Sequence, residues 1–387
     1  MNRRTFLSTT SLAAAGLLVD GCAPRSSAVR TPARPPIKVP PVLASWDRII
    51  RTTVGLRPHR DAGFVLKAVK QDDKFLVHNY GHGGAGMSIS WGTGAMAADF
   101  ALQQPQRRAA VLGCGAVGLT AARQLQRRGF DVTIYAANVP PDVTSNMSLA
   151  GFTPSSGLIE SAQRTPEWEA QYRQAAQVAY RQLQLMAGPL YGVSWIDQFS
   201  MMNEPPQPRP ANEPPSLDAG LLPAQQLLGP GEHPFPTKYA QHRMTLRIEP
   251  SIYLQRLIED FTRFGGHIVI RKFDTPRDLM ALAEPVIINA TGLGSKELFG
   301  DESMVPLKGQ LTLLLPQPEI TYQTSGGLTP TPPDVLGIHM MPRSDGIALG
   351  GTSQRGIWTL DPDDSERSRV VESHIAFFAK MAAGARA

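Results

Sequence analysis

An α/β fold with at least one parallel sheet is predicted by three features of this sequence. Residues 109–137 read as strand, Gly-x-Gly-x-x-Gly turn, helix and strand, all within about thirty residues. The run "PVIINATG" (285–292) reads as a fully buried strand ending on small residues. Segments with helical spacing alternate with such strands along most of the chain. At 387 residues the chain is long enough for one or two domains.

The elements follow in order. The opening "MNRRTFLSTTSLAAAGLLVDGCA" is too short and too weakly apolar to span a bilayer as a mature helix. Its "RRTFL" resembles a twin-arginine export signal. "LVDGC" resembles a bacterial lipoprotein cleavage box with Cys22 as the lipidated residue, although Asp20 is unusual there. Residues 23–42 are Pro-rich and aperiodic, an extended tether to the folded body. The glycine-rich "VHNYGHGGAGMSISWG" (77–92) leads into a helix over 87–102. "AAVLG" (109–113) is a buried strand. The next helix puts Val117, Ala121, Ala122 and Leu125 on one face and "RQLQRR" toward solvent, and Gly129 stops it. "DVTIYAA" (131–137) is a strand. Thr165, Pro166 and Glu167 start a helix that runs to Met186 with a stripe of Trp168, Tyr172, Ala175, Val178, Ala179 and Leu183. The prolines of 203–236 predict a long loop or lid. A helix over 251–264 (Tyr253, Leu257, Ile258, Phe261) closes on Gly265 and Gly266. "HIVIRKF", 285–292 and 346–354 are strands, and an acidic, serine-capped helix runs almost to the C-terminus.

Composition narrows the function. Apolar residues make up 42% and charged residues 18%, which suits a soluble globular body. The net charge of +5 is spread along the chain, with no basic stripe interleaved with aromatics, so nucleic-acid binding is not expected. Two cysteines cannot build a disulfide framework, and Cys114 lies in a turn that wants a small side chain. No metal site is expected.

Two glycine clusters carry the chemistry. Gly113 permits the tight turn, Gly115 lets backbone approach a pyrophosphate, and Gly118 lets helix pack on strand. Ala116 and Val117 open that helix, whose N-terminus faces the phosphates. The acidic residue expected at the end of the second strand is missing, which leaves Asn138 as the candidate for the ribose. In the upstream cluster Gly81, Gly83, Gly84 and Gly86 strip side chains from a loop entering a helix, an arrangement that favours an anion.

The motifs "VGLRPHR", "HNYGHGGAGMSISWG", "VLGCGAVGL", "INATG", "PLKGQL" and "MMPRSDGIALGGT" together resemble the D-amino-acid oxidase family of flavoproteins. The order differs from that family, in which the dinucleotide turn opens the chain and "GLRP" and "HNYGHGG" close it. The sequence therefore resembles a circular permutant. The resemblance implies a Rossmann-like FAD-binding domain plus an α+β substrate domain with a mixed sheet. The implied division is signal 1–22, linker 23–42, permuted segment 43–104, FAD-binding part 105–165, substrate part with lid 166–245, return to the FAD domain 246–300, and closing substrate part 301–387.

The resemblance also implies roles. Arg57 in "GLRP" matches the arginine that clamps the substrate carboxylate, where a planar fork pairs both oxygens. Gly83, Gly84, Gly86, Met87 and Ser88 match the loop that holds the flavin ring by backbone, with Gly84 also facing the substrate. Thr144, Ser145, Asn146 and Gly151 match a second FAD-contacting stretch. His339 and Val335 stand where animal members carry two active-site tyrosines, so substrate range does not transfer; His339 is either a substrate contact or a lid histidine. The implied activity is oxidation of D-amino acids to 2-oxo acids and ammonia, with O2 giving H2O2. The alternatives are a dehydrogenase of the same fold passing electrons to a membrane quinone, and a catalytically silent binding protein. The implied location is the periplasm or the outer face of the membrane, with a possible lipid anchor at Cys22.

Overall fold

The computed structural model describes residues 35–208, 210, 213–326 and 337–384. The signal region with Cys22, the first part of the linker, and Val335 lie outside the described residues.

In chain order the folded body starts with β1 (Ile49–His59), β2 (Val65–Gln71), β3 (Lys74–Tyr80) and α1 (Gly86–Ala101). Then come β4 (Arg108–Leu112), α2 (Ala116–Gln126), β5 (Asp131–Ala136) and α3 (Pro166–Leu185). The middle of the chain holds β6 (Val193–Met202), β7 (Gln226–Leu228), β8 (Tyr239–Ile248), α4 (Pro250–Arg263), β9 (His267–Ile270), β10 (Val286–Asn289) and α5 (Gly294–Phe299). The last part is β11 (Val305–Leu314), β12 (Tyr322–Gly326), β13 (His339–Arg343), β14 (Gly346–Gly350), β15 (Gln354–Arg355) and α6 (Asp364–Gly384).

Among the described residues the strands form two sheets. The smaller has the order β2-β3-β10-β4-β5-β9, parallel from β3 to β9 with β2 antiparallel at the edge. The central strand β10, "VIIN", is buried at every position, which explains its apolar Val286, Ile287 and Ile288, while the buried Asn289 is hydrogen-bonded. The larger, mixed sheet has the order β1-β11-β14-β13-β12-β6-β8-β7, with β15 on β11. So β1, early in the chain, pairs antiparallel with β11, placing Arg57 opposite Leu307, while β3 sits deep in the small sheet beside β10.

Helix α1 is almost wholly buried because it is enclosed by the small sheet, α2 and α3. Its small residues make this possible: a Cβ on Gly92 would come within 1.9 Å of the Ala175 carbonyl of α3. Against so close a neighbour α3 buries Tyr172, Ala175, Ala176, Ala179 and Leu183. Val178, expected in that stripe, is 37% exposed; Ala176 takes its place, one position round the helix, where only a small side chain fits. On α2, Arg123 and Gln124 are buried rather than solvent-facing. The Arg123 guanidinium stacks over Phe264 and the Gln124 amide donates to the Trp91 carbonyl at 3.3 Å, so long polar residues cover core at their stems.

Three further expectations change. The Pro-rich stretch 203–236 contains β7, too short to show a period, paired with β8. Its Asp218 accepts from Tyr172 Oη at 2.5 Å and Ser155 Oγ at 2.7 Å, so this loop is anchored. The strand over 346–354 breaks into β14 and β15, with Gly351 in the positive-φ region between them. Residues 36–42 are no free tether: Val42 is buried, and Ile37 and Val39 pack with Phe377, Phe378 and Met381 of α6 between that helix and the large sheet. The Tyr322 hydroxyl donates to the Pro40 carbonyl at 2.7 Å.

Candidate functional site

The two glycine clusters come together at one edge of the small sheet. β3 leads into α1 and β4 into α2, so both helices start at the carboxyl ends of parallel strands, where α/β sheets bind ligands. Contacts advance in step along the pair: Gly86 lies against Val117, Thr120 Oγ1 donates to the Ser90 carbonyl at 3.0 Å, and Gln124 reaches Trp91. The helices therefore run parallel, with their positive ends side by side. The strand motifs also bond to each other: His78 Nδ1 and Asn289 Nδ2 are 3.2 Å apart, and Thr291 N–H donates to Asn289 Oδ1 at 3.1 Å. "HNY" and "INATG" thus hold this edge together.

At α2, a Cβ on Gly118 would lie 2.0 Å from the Gly113 carbonyl, and one on Gly113, at φ 105°, would lie 2.5 Å from the Ala290 carbonyl. Gly115 is different, because its Cβ would meet only Ser145 Oγ, at 3.1 Å. The N–H groups of Gly115, Val117 and Gly118 have no acceptor among the described residues. The Ala116 N–H, expected to face a phosphate, instead donates to Ser145 Oγ at 3.0 Å. Thr144, Ser145 and Asn146 share one 3-10 turn, in which Asn146 Oδ1 is buried without a partner. Asn138 is exposed just beyond β5.

At α1 the loop is strapped from outside. Gly83 N–H donates to the Pro58 carbonyl at 2.7 Å and Gly84 N–H to the Ser156 carbonyl at 2.9 Å. A Cβ on Gly83 would lie 1.8 Å from the Gly157 carbonyl. The Ser88 N–H turns back to Ala85, and Ser88 Oγ accepts from Thr153 N–H at 2.8 Å. Of the five residues expected to grip a ring by backbone N–H, only Gly86 and Met87 keep that group unpaired among the described residues. Gly83 and Gly84 have been taken by chain distant in sequence, and Ser88 by its own turn. The loop 156–158 was the residue set sequence reasoning missed, and the turn composition of "PSSG" was its only signal.

His82 is fully buried, 3.0 Å from Thr93 Oγ1, and burial pushes its pKa down to about 3, so it is a neutral spacer. Burial pushes the Cys114 thiol up to about 12, which makes it inert.

The large sheet presents Arg57 to this edge. Its neighbour Pro58 holds Gly83, and Leu307, opposite Arg57, touches Gly157. The guanidinium lies across Gly309, whose Cβ would fall 3.2 Å from Nη2. Nε donates to the Leu307 carbonyl and Nη2 to the Thr352 carbonyl, both at 3.1 Å. One N–H on Nη2 and two on Nη1 have no acceptor among the described residues. No carboxylate lies within 4.0 Å of Arg57 among the described residues, and burial lowers its pKa. It is a fixed, partly desolvated cation without a counter-ion. Next along the strand, His59 Nδ1 lies 2.8 Å from the Gly157 carbonyl and Nε2 3.0 Å from Asp61, which Arg355 also pairs at 2.7 Å.

His339 begins β13 opposite Gly350, and its Nε2 would lie 2.3 Å from a Cβ placed there. Leu311 borders the same space, so His339 shares the Arg57 face of the sheet. Burial first, then the nearby His374 and Arg57, push its pKa down to about 4. Gly151 lies between this face and the FAD-side stretch, with Met341 Cε and Gln323 Oε1 at 3.5 and 3.6 Å from its would-be Cβ.

A parallel sheet with two helix N-termini at one edge, joined to a mixed sheet that offers an arginine to the same edge, defines a two-part dinucleotide-dependent oxidoreductase. The FAD dependent oxidoreductase family model matches residues 108–386, and the chain belongs to that family. Its cofactor is FAD. The chain is 26% identical over 273 residues to the D-amino acid oxidase of Dugesia ryukyuensis, covering 68% of this chain and 75% of that protein. It is 25% identical over 269 residues to the D-amino-acid oxidase of Rubrobacter xylanophilus (68% and 75%). It is 26% identical over 270 residues to the D-aspartate oxidase of Homo sapiens (69% and 74%). Glycine oxidase from Geobacillus kaustophilus aligns at a TM-score of 0.49 and 16% identity over 71% of this chain and 80% of that one.

The residues present fit FAD. Bare N–H groups at two adjacent helix starts suit a pyrophosphate and an electron-rich ring, Gly115 leaves open the space a phosphate needs, and Asn146 Oδ1 is orphaned beside it.

Proposed function

We propose that this protein oxidises D-amino acids to 2-oxo acids and ammonia. The observation that carries the reading is Arg57, a guanidinium with three free N–H donors and no carboxylate partner among the described residues, on the sheet face that meets the FAD edge. Such a fork is suited to a substrate carboxylate. Family membership and D-amino-acid-oxidising relatives at 25–26% identity support the D-amino-acid choice.

Bound FAD supplies the acceptor for two electrons. Arg57 would anchor the carboxylate and orient Cα, held still by the Leu307 and Thr352 carbonyls. Gly84, fixed by Ser156, would form the adjoining wall. His339 would act as a neutral group there, adding no positive charge to compete with Arg57. Gly86 and Met87 would direct their free N–H groups, and the positive end of α1, at the electron-rich side of the cofactor.

The reading includes a circular permutation. It is supported by β3 lying within the small sheet, by α1 lying parallel to α2, and by residues 37–49 sharing a core with the end of α6. It also includes export by the twin-arginine route and attachment at Cys22, supported by "RRTFL" and "LVDGC".

The test is to purify the protein, record its flavin spectrum, and add D- and L-amino acids without oxygen. Bleaching by D- but not L-amino acids is expected, and peroxide on admitting air identifies oxygen as the acceptor. Bleaching by L-amino acids alone, or by no amino acid, would overturn the reading.

A further inference from the structure

Four large apolar side chains stand uncovered at one end of the β1–β11 pair. Leu43, Trp46, Ile50 and Leu315 are each 44–56% exposed, while the neighbouring Val42 and Leu314 are buried. Their backbones are tied together. Leu315 N–H donates to the Arg48 carbonyl at 2.8 Å, and the buried Gln317 side chain bonds both backbone groups of Leu43, at 2.8 and 3.1 Å. Trp46 opens the 3-10 turn that leads into β1. Ile50 lies in the register shift between Ile49 and Arg51, where one residue is left out of the pairing with β11.

The patch is built onto the body, because Ile37, Val39 and Val42 just before it share a core with Phe377, Phe378 and Met381 of α6. An exposed apolar cluster with a tryptophan suits the headgroup boundary of a bilayer, where an amphipathic ring is stable. Two features of the chain say what covers it. Ile37 follows Cys22 by only about fifteen residues, so a lipid on Cys22 would keep the body within about 50 Å of the membrane. Between Cys22 and Asp47 the sequence carries Arg25, Arg30, Arg34 and Lys38 and no carboxylate, a run attracted to an anionic surface. The body's own charges here are mixed, with Arg51 paired to Asp345 at 2.7 Å and Asp47 next to Arg48. A face tethered this closely docks as an intramolecular event, so a modest apolar contact suffices.

Resting on the lipid-anchor reading above, we infer that Leu43, Trp46, Ile50 and Leu315 form a docking face for an anionic phospholipid bilayer. The acyl anchor holds the chain to the membrane, and this face fixes the orientation of the body upon it. A second apolar group, Ile357, Trp358 and Leu360, is similarly exposed but sits beyond the far end of β11, where Arg355 pairs with Leu307. The 10 residues of β11, roughly 30 Å of strand, separate the two, and the tether does not join the body there. That group serves as an internal control.

The test uses full-length, FAD-loaded Cys22→Ser protein as the parent, so that no lipid enters the comparison. It should float with phosphatidylethanolamine–phosphatidylglycerol vesicles, less in high salt and less with phosphatidylcholine vesicles. Trp46→Ser combined with Ile50→Ser should weaken that binding on the order of ten-fold, with flavin content and Tm near the parent's, and Trp358→Ser should leave it unchanged. Brominated acyl chains should quench the tryptophan fluorescence, and Trp46→Phe should remove that quenching. The signal residues are present in every variant, so they do not account for a difference between variants. Parent-like flotation of the double variant, an equal loss in Trp358→Ser, equal flotation with phosphatidylcholine, or quenching that survives Trp46→Phe overturns the docking face. So does a dimer, seen by sedimentation, that dissociates in the double variant, which would assign the patch to a second copy of the chain. If Cys22 takes up no palmitate in the wild-type chain, the anchor reading fails, and the vesicle comparison still decides the face.

Discussion

Replacing Arg57 by leucine removes the charge and the fork while keeping much of the aliphatic bulk. In the parent, Nε and Nη2 are committed to the Leu307 and Thr352 carbonyls, which leaves the outer Nη1–Nη2 edge, with three N–H groups, for the proposed carboxylate contact. That edge suits a two-point, charge-assisted contact in a partly desolvated setting, worth roughly 2–4 kcal/mol when the carboxylate left behind is counted. At about 1.4 kcal/mol per decade, kcat/KM for D-amino acids should fall on the order of thirty- to a thousand-fold. Arg57→Lys keeps the charge but cannot reproduce the planar fork and should lie between. Steady-state kinetics with the preferred D-amino acid, a neutral amine lacking the carboxylate, and flavin content measured in parallel make the assay. The amine should lose much less, and flavin content should hold, because nothing places Arg57 against the dinucleotide turn. Two carbonyls lose donors, so a modest fall in Tm is expected. Parent-like kcat/KM on every D-amino acid that works would refute the clamp.

Other expectations follow from the same geometry. Gly118→Ala drives a methyl toward a carbonyl 2.0 Å from its position, so it should yield protein with little flavin, read from the ratio of flavin to protein absorbance. His78, His82 and His374 are held down to about 4, 3 and 4, chiefly by burial, so the unfolded chain takes up their protons first. Stability should be flat above pH 7 and fall as pH drops from about 6.5 toward 4, by about 1.4 kcal/mol per pH unit for each histidine; urea midpoints that do not move between pH 6.5 and 4.5 would contradict this. Replacing Arg3 and Arg4 by lysine should strand the protein in the cytoplasm, seen by fractionation, and radioactive palmitate labelling should disappear in Cys22→Ser.

The α/β class, the dinucleotide turn and the strand "VIIN" were legible because each depends on short-range rules. A turn at φ 105° calls for glycine at residue 113, and a strand covered on both faces must be apolar except where a polar side chain is hydrogen-bonded, as Asn289 is. Helix limits came within a residue or two for the same reason. Other outcomes were decided by residues far apart in the chain. Val178 is exposed because α1 comes close enough to Ala175 to select only small neighbours. The N–H groups of Gly83 and Gly84 look free in the sequence, yet Pro58 and Ser156 take them. Arg57 is fixed by carbonyls 250 and 295 residues away. Local periodicity reports which face of an element is buried, but which groups meet across that face, and which are left unpaired for a ligand, is set by strand order and register; only the tertiary structure decides these.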